Sequence, residues 1–156
     1  MEEIIAGAVM NGMRDIAVAM LSLDIGNGPT VVRTIDGAYD PPQADATALV
    51  RLSGGIDGGI YLSAPEHVAL FLAGRLAGEP FDELSAEAQD GYGELANMVA
   101  GGIQTHLSVD YGEIQLEPPQ FIHRGDNKAQ INGFMTSIRQ FFKCDEGPFF
   151  VEVFVS

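Results

Sequence analysis

Positive charge is scarce in this sequence: eight Lys and Arg stand against 22 Asp and Glu in 156 residues, a net charge of −14. Such a chain repels phosphate backbones and anionic lipid headgroups, so neither nucleic acid nor a membrane surface is an expected partner. The same acidity suits a partner with a basic rim, and it also serves solubility alone. Cysteine is almost absent. Cys144 has no second cysteine to pair with and no neighbour at metal-ligand spacing, which excludes an internal disulfide and suits a reducing cytoplasm. A long apolar leader is lacking too. Met1-Glu2-Glu3 carries acid where a secretory signal needs base, and Arg14-Asp15 interrupts the apolar character short of a membrane span, so neither an export signal nor a transmembrane helix is expected. Without internal repeats, linkers or low-complexity stretches, residues 1–156 read as one domain. The 46% of hydrophobic residues suffices for one continuous core.

What is present divides into helical and extended blocks. Over residues 2 to 23, Ile5, Val9, Ile16 and Met20 recur at mostly four-residue steps, with Gly12 and Met13 between them and Arg14 and Asp15 outside the stripe. That spacing predicts an amphipathic helix, stopped by Gly26-Asn27-Gly28-Pro29. The β-branched run from Thr30 to Ile35 predicts a strand, and the alternation from Thr47 to Ser53 a second. Gly54 to Gly59 then reads as a turn between that strand and Ile60-Tyr61-Leu62. As a phosphate cradle it lacks a Gly-Lys-Ser/Thr ending and a following helix. Pro65 opens a helix that covers Val68 to Ala77 and ends at Gly78-Glu79-Pro80; Ser85 caps the next, with Glu87 in its first turn, and this one extends to about His106. Ile114-Gln115-Leu116, Phe121-Ile122 and the runs at 130 to 142 and 148 to 155 are extended, with Phe134, Ile138 and Phe142 on one face. Helices and strands are segregated, which predicts an α+β domain with antiparallel pairing.

Most of the plausible chemistry falls on one helix. At about 100° per residue, Asp90, Glu94, Asn97 and Gly101 lie within a sector about 60° wide, while Leu95, Met98, Val99 and Gly102 face elsewhere. Gly91, Gly93, Gly101 and Gly102 each weaken a helix by about 1 kcal/mol relative to alanine, a cost that calls for close approach of another backbone or protein surface. An ordinary solvated helix face shows the same periodicity, so spacing alone leaves both readings open. Other chemistry is poorly represented. His67, His106 and His123 are far apart and form no i, i+4 pair, so no metal site of the chain's own is expected. No Gly-x-Ser-x-Gly nucleophile motif occurs, Cys144 is read as structural, and Phe141, Phe142, Phe149, Phe150 and Phe154 read as core or subunit interface.

The pattern Asp90-x3-Glu94-x2-Asn97, followed some twenty residues later by Pro118 or Pro119, resembles the active-site signature of the CheC, CheX and FliY phosphatases. The resemblance extends to the N-terminal helix, to Gly54–Ser63 leading into Pro65, to Leu76-Ala77-Gly78-Glu79, and to Gly93 through Gly101. It weakens after about Gly125. A single copy of the motif in a short chain is CheX-like. The resemblance implies a CheC/CheX-like α+β fold: an antiparallel sheet, a long N-terminal helix and a pair of central helices. It implies a homodimer that hydrolyses the aspartyl-phosphate of a CheY-like response regulator. Asn97 would orient the attacking water and Glu94 would pair with the receiver's lysine, with Asp90 and Gly101 completing a docking surface. No cofactor of the chain's own is implied, the Mg²⁺ belonging to the receiver's phosphorylation site. The rival reading is a non-catalytic receiver-binding or assembly module of the same fold.

Overall fold

The computed structural model describes residues 1–126 and 132–156. Residues 130 and 131, the start of one expected strand run, lie outside the described residues. Helix α1 (Glu2–Ile16) buries Ile5, Val9, Gly12 and Met13, and continues into a π-helical turn over Ala17–Leu21. Beyond Met13 the expected stripe slips. Ile16 is half-buried and Met20 is 44% exposed, while Ala17 and Leu21 are buried. A π turn takes more residues than an α turn, so the inward-facing positions fall one residue later.

The helix ends before Gly26, at Ser22 in the left-handed region (φ 52°). Its last carbonyls are capped by a distant side chain, Arg75, which donates to Leu21 O and Ser22 O, each at 3.0 Å. Gly26-Asn27-Gly28-Pro29, expected as the helix stop, instead opens strand β1 (Gly26–Ala38). Pro29 is tolerated there because it sits at a register shift between Asn27 and Thr30 on an edge strand.

Strands β2 (Ala46–Gly54) and β3 (Gly58–Ala64) form the expected hairpin. Its glycines have no amide to offer a phosphate through Gly55, whose N–H donates to Glu113 O at 2.8 Å. A Cβ on Gly55 would lie 2.0 Å from Tyr111 O. Helices α2 (Glu66–Ala77) and α3 (Ala86–Tyr111) follow, then β4 (Ile114–Leu116), β5 (Gln120–His123), β6 (Asn132–Cys144) and β7 (Gly147–Val155). α3 runs past His106 because Leu107 is still buried, and it stops at Gly112. The seven strands make one antiparallel sheet in the order β1-β6-β7-β3-β2-β4, with β5 also pairing to β2. The α+β class expected from the sequence, with an antiparallel sheet, a long N-terminal helix and a pair of central helices, is thus present.

The sheet is covered on both faces. The helices pack on one face around Ala48, Val50, Leu62, Ile138, Phe142, Val151 and Val153. Alternate residues point the other way, where Leu49, Tyr61, Met135 and Phe154 cluster under Tyr39. Beside that cluster Glu152 is fully buried, receiving Arg139 Nε at 2.6 Å, Arg33 Nη2 at 3.4 Å and the Tyr39 hydroxyl. Phe134 shares a face with Ile138 and Phe142 as expected, yet is 76% exposed. β7 ends at Val155 opposite Thr136, so β1 and β6 continue alone past the helix-covered core, although Met135 on the other face is still buried.

The helices themselves are locked at a glycine crossing. A Cβ on Gly12 of α1 would lie 2.7 Å from Ile103 N, and one on Gly102 of α3 would lie 3.1 Å from Gly12 O. Gly12→Ala is therefore expected to destabilise the fold by about 1–3 kcal/mol through overpacking. Gly7→Ala, on the same helix with nothing within 4 Å of the added methyl, should stabilise it by up to about 1 kcal/mol. Urea midpoints check the pair, and equal shifts in both variants would contradict the crossing as the constraint.

Candidate functional site

Helix α3 begins where the Ser85 hydroxyl accepts from the Ala88 amide at 3.2 Å, with Glu87 in the first turn. Its buried face is Ala88, Tyr92, Leu95, Ala96, Val99, Ala100, Ile103 and Leu107. Three contacts fix its rotation. The Tyr92 hydroxyl, fully buried, donates to Leu62 O of β3 at 3.0 Å. Burial raises the phenol's pKa well above its ordinary value, so the donor proton is kept. Gly102 meets Gly12 at the α1 crossing. Gln104 Nε2 donates to Ile114 O at the start of β4.

With that face committed, Asp90, Glu94, Asn97 and Gly101 point outward in one row: Asp90 and Glu94 are exposed, Asn97 and Gly101 half-buried. The structure thus brings together on one helix surface all four residues that the sequence singled out. Among the described residues none donates to, accepts from or pairs with the side chains of Asp90, Glu94 or Asn97. An amide with free donor and acceptor groups stands beside two carboxylates, on a helix held at three points. Gly101 leaves the surface low, with nothing within 4 Å of where a Cβ would be.

The four glycines of this helix have different neighbours. Gly102 answers the expectation of close backbone approach. Gly93 is buried, with Pro119 carbons 3.9 Å from its would-be Cβ, and Gly91 looks onto Ala73 and Phe81 at 3.8 Å. Pro119 is half-buried against α3, one residue from Glu94, whereas Pro118 is exposed.

The other candidates are placed elsewhere. His106 Nε2 lies 3.0 Å from Asp15 Oδ2, linking α3 to α1. His67 Nε2 lies 3.0 Å from Glu146 O, and His123 meets Phe121 edge to face. Cys144 is buried, its thiol 3.5 Å from Gly147 O. Among the described residues no group of three or more His, Cys, Asp or Glu is arranged to hold a metal ion. Glu2–Leu21 is a 20-residue helical stretch long and apolar enough to cross a membrane by length and composition, and its inner stripe here lines the core. Sequence reasoning missed the Tyr92 anchor and the Arg75 cap, since neither partner, Leu62 O nor Leu21 O, leaves any trace in residue type.

The family model for the chemotaxis phosphatase CheX matches residues 46–143, more than half the chain and all of the Asp90–Gly101 row. No curated protein matches the chain. The fold is similar to that of a CheC-like superfamily protein from Shewanella sp. PV-4, with a TM-score of 0.80 at 19% identity over 98% of this chain and 97% of that one. It is also similar to a chemotaxis protein CheX from Desulfovibrio desulfuricans, TM-score 0.78 at 21% identity, covering 97% and 99% of the two chains. A third similar chain comes from a CheX–CheY–BeF3–Mg²⁺ complex of Borrelia burgdorferi, TM-score 0.69 at 21% identity over 96% of this chain and 95% of that one.

If Tyr92 sets the seating of α3, its hydroxyl and its ring should contribute separately. Tyr92→Phe is expected to lower stability by about 0.5–1.5 kcal/mol, the net worth of one hydrogen bond. Tyr92→Ala should lower it by about 3–5 kcal/mol, through the cavity left behind. Chemical denaturation of the two variants measures both, and a Tyr92→Phe variant as stable as the parent would remove the Leu62 contact from the account.

Proposed function

Because this chain belongs to the CheX family of chemotaxis phosphatases, we propose that it hydrolyses the aspartyl-phosphate of a CheY-like response regulator, using Asn97 and Glu94. The observation that carries this reading is the outward placement of those two side chains, without a partner among the described residues, on a helix held at Tyr92, Gly102 and Gln104. That a CheX chain was found bound to CheY with BeF3 and Mg²⁺ in the Borrelia complex supports the choice of partner.

An aspartyl-phosphate is an activated acyl phosphate, so the phosphatase need supply little beyond a positioned water. Docking α3 onto the receiver carries the Asn97 amide to the phosphoryl group. Its carbonyl accepts from a water while its N–H₂ remains available as a donor. The water oxygen attacks phosphorus in line, the bond from phosphorus to the acyl oxygen breaks, and the receiver's aspartate leaves as a carboxylate with inorganic phosphate as the second product. Glu94 pairs with the receiver's lysine and fixes the register; Asp90 extends the acidic contact and Gly101 lets the partner approach. Mg²⁺ in this reading belongs to the receiver, and the chain supplies no metal of its own. The cytoplasm, where receivers are phosphorylated, is the compartment this function requires.

Two experiments test the assignment. With a phosphorylated receiver, Asn97→Ala is expected to lower stimulated dephosphorylation about 100-fold with receiver affinity nearly intact. Wild-type turnover in that variant would remove the amide from the mechanism, and a chain that binds the receiver without accelerating anything would be the non-catalytic module. For a receiver held in its active state, Glu94→Lys should weaken binding more than Glu94→Ala, the truncation costing about 2–5 kcal/mol if the pair is desolvated. Affinities within about twofold of wild type for both variants would return Glu94 to an ordinary solvated face.

The family reading also entails a homodimer, and β1 offers the surface for a second copy. It is one edge strand of the sheet, with Val31 41% and Val32 45% exposed. Past the Pro29 irregularity, Thr30–Ala38 carries neither proline nor lysine to discourage edge pairing. A Val31→Lys, Val32→Lys double variant is expected to shift sedimentation toward monomer. A wild-type chain that sediments as monomer at every concentration, or a variant dimer as tight as wild type, would refute this interface.

A further inference from the structure

On the side of α2 away from the sheet lies an open cavity of about 720 Å³ that the proposed chemistry does not use. Two helix C-termini converge on it. The π turn ends at Leu21–Ser22 and α2 ends at Gly78 (φ 79°), and residues of both ends line the cavity. Helix C-termini carry negative partial charge on their terminal carbonyls and favour cations; at the π turn that cation is the chain's own Arg75. The walls between them are apolar, formed by Met20, Leu70, Phe71 and Phe81.

The charges around this groove are unequally committed. Arg75 donates through Nε and Nη2 to Leu21 O and Ser22 O, both at 3.0 Å. His67 sits 3.0 Å from Glu146 O. The two lining groups able to carry positive charge are thus turned onto backbone carbonyls. Glu79 and Asp82 on the rim are exposed and have no ion-pair partner among the described residues. The groove therefore presents aromatic and aliphatic walls beside a rim on which two carboxylates, Glu79 and Asp82, outnumber the one guanidinium, Arg75. Phosphate-bearing ligands are repelled by that rim and by the chain's net charge of −14.

We propose that this groove is a docking site for a basic amphipathic segment of a protein partner. A bulky apolar side chain of that segment seats among Leu70, Phe71 and Phe81, and flanking Arg or Lys side chains lie at Glu79, Asp82 and the carbonyl end of α2. The chemistry matches on both counts: an apolar anchor covers the half-buried walls, and a guanidinium or ammonium answers Glu79 and Asp82. Phe81 is also the neighbour of Gly91, so the groove adjoins the start of the Asp90–Gly101 row while sharing none of its side chains. Binding here is independent of the dephosphorylation reading.

The probe is a fluorescein-labelled synthetic peptide with Leu at helical spacing and Arg on either side, read by fluorescence anisotropy against the intact chain. Wild type is expected to bind it saturably. A Glu79→Lys, Asp82→Lys double variant should lose about 10-fold or more in affinity, since like charges would then face each other. The control reversal Asp57→Lys, Asp110→Lys, at exposed positions off the groove, should stay within about twofold, as isolated surface charges do. Asn97→Ala should bind as wild type. Phe81→Ala, checked for folding by circular dichroism, should weaken binding, and Met20→Glu, at an exposed position, repeats that test without touching the core. Several results would overturn the proposal: no binding by wild type, equal losses in the control reversal, equal affinity for a peptide with Ala in place of Leu, or binding to phosphatidylglycerol vesicles in preference to the peptide.

Discussion

The backbone crossing of α1 over α3 is the constraint on which the rest of the molecule depends. Gly12 and Gly102 remove the side chains that would separate the helices, and Ile103 N comes within 2.7 Å of where a Gly12 Cβ would stand. Helices that close cannot rotate independently, because any rotation drives a side chain into a neighbouring backbone. With Gly102 turned toward α1, Val99 and Ile103 enter the core and Glu94, Asn97 and Gly101 are left facing out. The direction of the candidate chemistry is thus set by two residues with no functional groups. The glycines that weaken α3 as an isolated helix are compensated by the packing they allow.

The sheet resists deformation from its other side. Glu152 carries a full charge into a site without solvent exposure and is satisfied by Arg139, Arg33 and Tyr39 together. Burial, and next the Glu152 carboxylate, push the Tyr39 phenol far above its ordinary pKa. Tyr39 arrives from the segment after β1, which crosses from one edge of the sheet toward β2 and lays its ring near Tyr61 and Phe154. A buried charge of this kind adds little net stability over an apolar substitute, but removing one partner leaves the others buried without compensation. The group therefore acts on register: β1, β6 and β7 each contribute a charged side chain, and a slip of one residue in any of them would break it.

Local signals were legible in the sequence, and contacts across the fold were not. Alternation in 47–53 and 148–155, Ser85 as a cap and Gly78 as a stop all act within a few residues of themselves, and each appears where the pattern placed it. The readings that failed required knowledge of a distant partner. Gly26–Pro29 has the composition of a helix terminator, yet α1 is closed earlier by Arg75, more than fifty positions away. Phe134 keeps the correct face but loses its cover because β7 stops opposite Thr136. Met20 falls off its stripe because one π turn, invisible in composition, changes the phase. The Asp90–Gly101 row was legible because helical periodicity is local; that its side chains would be free of partners among the described residues was not.

That freedom separates this surface from an ordinary enclosed active site. Neither the 720 Å³ groove nor the 310 Å³ cavity beside Phe141 and Phe149 is lined by Asp90, Glu94 or Asn97. A row on the outside of a helix cannot exclude water, hold a small substrate on several sides or desolvate a reacting bond. Under the proposed reading these tasks fall to the partner, whose own cleft holds the phosphoryl group, the metal and the lysine. What remains for this chain is to insert an amide and a carboxylate at fixed spacing into a site that is nearly complete. Rigidity then matters more than enclosure, because a water held by one amide is in line with phosphorus only if the helix bearing it arrives in a single orientation. The glycine crossing, the Tyr92 anchor and the Gln104 contact supply that orientation before any partner is met.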